Sequence, residues 1–235
     1  MQGSLFGREE RSFDRGFAAV RRLELSEGAW LEHQPGWLSG HATLFEWLVA
    51  NVDWKSHERE MYERIVAVPR LTASMPEGAA ARGGAWRELT AISEVLSRRY
   101  GKQLTSIGFA YYRDGNDSVA PHGDKMEHLV GDTVIAIVSV GSPRRFTLSK
   151  TGGAKTEARE AEREARRYVF NLGWGDLLVM GGNAQQTWQH GVPKVAYAQP
   201  RISIVFREPL TSSSFSERLA QARSGKGDSV QTAVA

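Results

Sequence analysis

Two histidines and one aspartate have the types and spacing to do metal chemistry. His122 and Asp124 lie two apart in the stretch VAPHGDKMEHL, which begins at Val119. On extended backbone, residues i and i+2 point to the same face, so this imidazole and carboxylate can meet one ion. Alone the pair is a weak signal, because a polar turn with a hydrogen-bonded aspartate produces the same tripeptide. Support comes from His190, which follows a glycine-rich turn in GDLLVMGGNAQQTWQHGVPK. Two histidines and one carboxylate on one side of a metal leave three positions open, the facial arrangement suited to non-haem Fe(II) and O₂. RISIVFR comes next. Arg201, Ser203, Val205 and Arg207 share one face there, and Ile202, Ile204 and Phe206 the other. A buried guanidinium without a partner is costly, so such arginines meet carboxylates. Two readings are open: a dicarboxylate bound at the metal, or protein carboxylates on an exposed sheet face.

The elements that must position these groups can be read coarsely. LSGHATLFEWLVANV, Leu38 to Val52, repeats Leu44, Leu48 and Val52 every four residues and predicts a helix with Ser39 as N-cap. AWRELTAISEVLSRRYG predicts a second helix, with the stripe Trp86, Leu89, Ile92, Leu96 and Tyr100 and a terminal cap at Gly101. The first 35 or so residues look irregular, apart from an alternating run from Phe17 to Leu25. After Gly101 the runs TSIGFAYYRDG, DTVIAIVSVG, RRFTLSK, RRYVFNLGWGDLLVM and RISIVFRE are β-branched, aromatic and punctuated by Gly, Asp, Asn or Pro. Helices first and an antiparallel sandwich or barrel second is the expected order, with the chemistry in the barrel mouth. Thr151 to Arg167 is almost wholly Gly, Ala, Glu, Lys and Arg, which fits an exposed loop or a short charged helix. The chain after Pro209 is Ser-, Gly- and Ala-rich and reads as a tail. The expected organisation is therefore a single domain over 1–210, helical to about 101 and β from 102 to 209, with a flexible tail over 211–235.

Composition narrows the function class. The chain has 235 residues, enough for one domain with a sizeable core. It has no cysteine, which excludes disulfides, thiolate zinc sites and a cysteine nucleophile, so a metal must rely on His, Asp or Glu. No apolar run reaches the ~20 residues of a membrane span, and the charged start MQGSLFGREERSF lacks an apolar leader segment. A cytoplasmic monomer without a membrane or protein partner is the expectation. The formal net charge is +3, with surplus arginine in pairs such as Arg98-Arg99 and Arg144-Arg145. That suits a polyanionic partner or simply a solvated arginine-rich surface.

The ordered set YYRDGND, HGD, IAIVSVGSPRRFTLS, LGWGDLLVMGGNAQQTWQHGVPK and PRISIVFRE resembles the AlkB family of Fe(II)- and 2-oxoglutarate-dependent dioxygenases, from about Val66 to Glu208. His-x-Asp, a distant His and then Arg-x5-Arg are all present. The resemblance implies an α+β fold, a double-stranded β-helix (jelly-roll) core with N-terminal helices packed on one face. It implies Fe(II) held by His122, Asp124 and His190, and 2-oxoglutarate held by Tyr112, Arg201, Ser203 and Arg207, with O₂ as the third reactant. Arg201 matches the arginine that grips the distal carboxylate. The implied reaction is oxidative demethylation of N-alkylated bases, releasing formaldehyde, succinate and CO₂. The implied partner is alkylated DNA or single-stranded nucleic acid, whose target base must leave the stack to reach the metal. Met126, Met75 and Arg145 are candidate substrate contacts.

Three positions depart from the family pattern. Ala110 stands where many relatives carry asparagine, Met126 where several carry an acidic residue, and SMPEG (Ser74 to Gly78) where many carry an aromatic lid. Base stacking on aromatic faces is worth ~1–3 kcal/mol per base, so this lid must be built differently. Trp174 or Trp188 could compensate, although Trp188 reads as core. These departures keep a second reading open, the same chemistry on a protein, lipid or small-molecule substrate. A third, a non-catalytic nucleic-acid-binding module with a structural metal, is disfavoured by the open metal face and the two arginines. His128 reads as solvated or structural, and His33, His41 and His57 lie outside the constellation.

Overall fold

The computed structural model describes residues 10–61, 64–123, 132–151 and 167–209. Among these, the strands form two antiparallel sheets and a small two-stranded one. The larger sheet contains β2 (Arg21–Glu24), β3 (Ala29–Gln34), β5 (Lys55–Met61), β6 (Arg64–Ser74), β7 (Ser106–Tyr112), β9 (Thr133–Gly141), β12 (Asp176–Gly182) and β14 (Arg201–Arg207). Its spatial order is β2-β3-β12-β9-β14-β7-β6-β5. The smaller sheet runs β11 (Arg167–Leu172), β10 (Arg144–Lys150), β13 (Trp188–Val192) and β8 (Val119–His122). β1 (Ser12–Phe13) pairs with β4 (Leu38–Ser39).

Two hydrophobic clusters follow from strand alternation. Leu31, Ile135, Ile137, Leu178 and Met180 of the large sheet meet Phe146, Leu148, Leu172, Trp188 and Val192 of the small one. On the opposite face, Phe109, Val138, Val140, Ile202, Ile204 and Phe206 share a cluster with Leu44 and Leu48 of α1 (His41–Asn51) and Trp86, Leu89, Ile92 and Leu96 of α2 (Ala85–Tyr100). The rings of Trp86 and Phe109 stand 6.2 Å apart in an edge contact that joins α2 to β7. The two sheets facing one another, with the strand order above, make the jelly-roll architecture.

Both predicted helices form. α2 ends where Gly101 adopts φ 64°, ψ 27°, the left-handed cap a Cβ would strain. At the start of α1 the cap position belongs to Gly40 (φ 66°), because Ser39 is held in β4 opposite Ser12.

The order "helices first, strands second" is corrected. β1 to β6 all precede Gly101, and β3 lies inside the large sheet, paired with both β2 and β12. AWLEHQ hides this because its polar residues are buried with specific partners. Glu32 accepts from the Tyr100 hydroxyl at 2.8 Å and from Arg99 Nη2 at 3.2 Å, and Gln34 donates to Asp14 at 2.8 Å. Such tertiary satisfaction cannot be read from a window of sequence. β6 is masked differently, by Pro69. The β5–β6 ladder shifts register between Ser56 and Glu58, opposite that proline, where a missing N–H is tolerated. Thr151 is described, but residues 152–166 of the charged insertion and the tail after Pro209 lie outside the described residues.

Candidate active site

The site is built where the small sheet faces the large one. β8 pairs with β13 so that His122 and His190 stand opposite each other, with ring centroids 4.4 Å apart. The register shifts just after them, between His190 and Val192. Two adjacent glycines let the backbones come this close. A Cβ on Gly191 would lie 2.9 Å from the Val119 carbonyl oxygen and 3.1 Å from Pro121 N. A Cβ on Gly123 would collide with the carbonyl oxygen of Gln185 in α3 (Ala184–Thr187), the short helical turn that leads directly into β13. His122 Nδ1 lies 2.9 Å from the Ala120 carbonyl oxygen. A carbonyl only accepts, so Nδ1 carries the proton in this contact, and Nε2 is the ring nitrogen that would meet a metal. The His190 ring stacks on Phe146 at 5.6 Å and is 7% exposed, which fixes its plane. Asp124, the third expected ligand, lies outside the described residues, as do Met126 and His128.

A cavity of about 670 Å³ opens from these two imidazoles. Tyr112, Ser203 and Arg207 line it, together with Ala110, Arg70 and the apolar Ile135 and Val192. Strand register explains the convergence. β14 lies between β7 and β9, and Arg201 sits opposite Tyr112 while Ser203 sits opposite Ala110 and Ser139.

Arg201 is fully buried. Its Nη2 donates to Ser139 Oγ at 2.7 Å, while Nε and Nη1 have no hydrogen-bond partner among the described residues. Its guanidinium carbon lies 5.6 Å from the Tyr112 ring centroid. Burial pushes its pKa down to about 10, opposed by Tyr112 and aided by the nearby Arg144, so it remains a cation at neutral pH. A buried cation with Nε and Nη1 unpartnered has charge and N–H donors left for an entering anion. The Tyr112 phenol is pushed up by burial, only partly offset by Arg201, Arg70 and Arg144. It stays neutral and keeps its proton to donate. The donor set therefore fits a dicarboxylate.

The other sequence candidates separate. Met75 packs against the outer hydrophobic cluster, and it is its neighbours Ser74 and Pro76 that line the cavity. Arg145 is exposed on β10 and is not among the cavity-lining residues. Trp188 is core at 2% exposure, while Trp174 is 61% exposed in the turn between β11 and β12. Ser139 and Arg144 were missed. Each carried a signal: a lone hydroxyl inside the apolar run TVIAIVSVG, and an arginine in phase with buried Phe146 and Leu148.

Comparison with known proteins decides the family. The model described as the 2OG-Fe(II) oxygenase superfamily matches residues 40–207. The chain belongs to that superfamily. Its members use Fe(II), 2-oxoglutarate and O₂, and this one is AlkB-like. It is 31% identical over 193 residues to the DNA oxidative demethylase ALKBH2 of Arabidopsis thaliana, a match covering 70% of this chain and 61% of that protein. It is 34% identical over 123 residues to the alpha-ketoglutarate-dependent dioxygenase alkB homolog 3 of Mus musculus, covering 52% of this chain and 41% of that one. The match thus spans about two fifths to three fifths of these relatives' lengths. The solved structure of OsALKBH1 superposes with a TM-score of 0.50 at 12% identity, over 80% of this chain and all of that one, which shows a shared fold. No helix among the described residues is long and apolar enough to cross a membrane.

Proposed function

We propose that this oxygenase is an oxidative demethylase that removes N-alkyl groups from nucleic-acid bases. The observation that carries the chemistry is one cavity lined by the His122–His190 pair and by Tyr112, with Arg201 buried beside that tyrosine and two of its N–H groups unpartnered. The observation that carries the substrate is the similarity to a relative named as a DNA oxidative demethylase.

In this reading His122, Asp124 and His190 hold Fe(II). Bound there with 2-oxoglutarate and O₂, the metal supplies the two-electron oxidation of an N-alkyl C–H bond, one oxygen atom entering succinate as CO₂ leaves and the other entering the alkyl group. The hydroxylated substrate then loses formaldehyde and leaves the unmodified base. Arg201 takes the distal carboxylate with the N–H groups that the protein leaves unpartnered. The neutral Tyr112 donates to the same co-substrate, and Ser203 and Arg207 bound it from β14. Ile135, Val192 and Phe146 keep water from the reacting end, which strengthens every charge contact inside. Ala110 offers a methyl group where a side-chain donor would add a further bond, so Tyr112, Ser203 and the arginines hold the co-substrate without it.

The test is incubation with single- and double-stranded N-methylated oligonucleotides, Fe(II), ascorbate and 2-oxoglutarate. The expected result is stoichiometric release of formaldehyde and succinate with loss of the methyl group, faster on single strands because base extrusion costs less there. Consumption of 2-oxoglutarate without loss of base methylation would move the substrate to a protein, lipid or small molecule while keeping the chemistry.

A further inference from the structure

Arg144 begins β10 and is 2% exposed. Among the described residues its guanidinium makes no carboxylate bond. Three backbone carbonyls accept from it instead: Asp114 at 2.6 Å from Nη1, and Asp117 at 2.9 Å and Pro193 at 3.1 Å from Nη2. The Asp117 carboxylate is taken by Arg113, whose Nε and Nη2 reach it at 2.7 and 2.9 Å.

The three carbonyls belong to two segments of chain. Asp114 and Asp117 form the turn between Tyr112 and β8, the strand that ends on His122. Pro193 directly follows β13, the strand that carries His190. One planar group therefore ties together the two backbones that bring the histidines face to face. Its guanidinium carbon also lies 5.7 Å from the Tyr112 ring centroid, against 5.6 Å for Arg201. Tyr112 thus sits close to two buried cations. Asp117 and Asp114 act on Arg144 and Asp176 on Arg201, but no carboxylate bonds either guanidinium among the described residues, so the two buried cations still favour an entering anion.

We propose that Arg144 is a positioning residue for the dicarboxylate end of the cavity. Its fork sets the spacing of the His122 and His190 strands, and with Arg201 it makes the wall around Tyr112 electropositive before the co-substrate arrives. The proposal rests on the reading of this cavity as a 2-oxoglutarate site. A lysine cannot replace the fork, because a single ammonium supplies the charge without spanning three carbonyls in one plane.

Calorimetric titration of 2-oxoglutarate into the Mn(II)-loaded protein, without turnover, tests it. Arg144→Gln is expected to weaken binding about tenfold, the usual scale for a residue that orients ligating groups from behind. Arg144→Lys should fall between Gln and wild type. Ser93→Ala serves as the stability control, since it removes a buried bond from Ser93 Oγ to the Leu104 carbonyl at 2.8 Å on α2. It should lower Tm and leave the Kd unchanged. Wild-type affinity in a folded Arg144→Gln overturns the proposal, and so does an equal loss of affinity in Ser93→Ala. If Arg144→Gln does not fold, Arg144→Lys decides: unchanged affinity in that variant overturns the fork. Absence of 2-oxoglutarate binding to the wild-type protein overturns the co-substrate reading itself, a result distinct from these.

Discussion

The two faces of β14 differ in what they are closed against. Ile202, Ile204 and Phe206 point outward into the cluster with α1 and α2 and are fully buried among apolar side chains. On the other face Ser203, Val205 and Arg207 line the cavity and Arg201 lies beside Tyr112. The outer face is closed against a continuous apolar cluster. The inner face carries a cation with orphaned N–H groups and borders the cavity that His122 of β8 and His190 of β13 also line. A single strand can serve both purposes because its side chains alternate with period two. Stability is concentrated on one face, so the other can hold groups that a packed core would reject.

That contrast can be broken in order of expected effect. His190→Ala removes a group that lines the cavity bordered by the inner face, and it should bring 2-oxoglutarate turnover to background while the thermal midpoint barely moves. A parallel loss of fold would show that the two faces are not separable. Phe206→Ala attacks the outer face. It should cost about 3–5 kcal/mol in urea unfolding, the usual range for emptying a buried phenylalanine site, with 2-oxoglutarate affinity retained in the folded fraction.

Arg201→Met should behave in the opposite sense. It replaces an uncompensated buried cation with an apolar chain and should stabilise the ligand-free protein by roughly 1–3 kcal/mol. A base whose pKa is depressed on folding destabilises the fold wherever it is protonated in both states. The gain should therefore be full below about pH 10 and shrink above it. The same variant should lose the rise in Tm that 2-oxoglutarate gives the wild type. A variant less stable than wild type at pH 7 would show that the Ser139 bond outweighs the buried charge. The smallest effect is expected from Gly123→Ala, which forces the His122 segment away from Gln185. Metal affinity should fall about tenfold with little change in helix content, followed by Mn(II) titration and circular dichroism.

Residue type and spacing made part of the site legible. His122 and His190 were separated by a long stretch of chain, yet their chemistry required a common location, and the β8–β13 pairing supplies it. The alternation of RISIVFR assigned Arg201, Ser203 and Arg207 to one face correctly, because local geometry alone sets that pattern. Arg145 and Arg144 show the limit. Both look alike in a run of two arginines, and only the phase of β10 turns one to solvent and buries the other. Met75 was placed by the same kind of uncertainty, since its side chain packs on the outer cluster rather than into the cavity. β3 was illegible for a different reason. Its Glu32 and Gln34 look like surface residues until Tyr100, Arg99 and Asp14 arrive from distant segments to satisfy them.

The amino-acid sequence by itself determined which residue types are on hand for a metal, the absence of thiol chemistry, the two helices and the alternation that points both β14 arginines inward. These depend on composition and on periods of two and 3.6, which are local. Tertiary structure decided which arginine lies behind Tyr112, how closely two glycines let β8 approach β13 and α3, and that an N-terminal strand completes the large sheet. These depend on contacts between residues far apart in the chain, where burial and an available partner settle whether a polar group is tolerated.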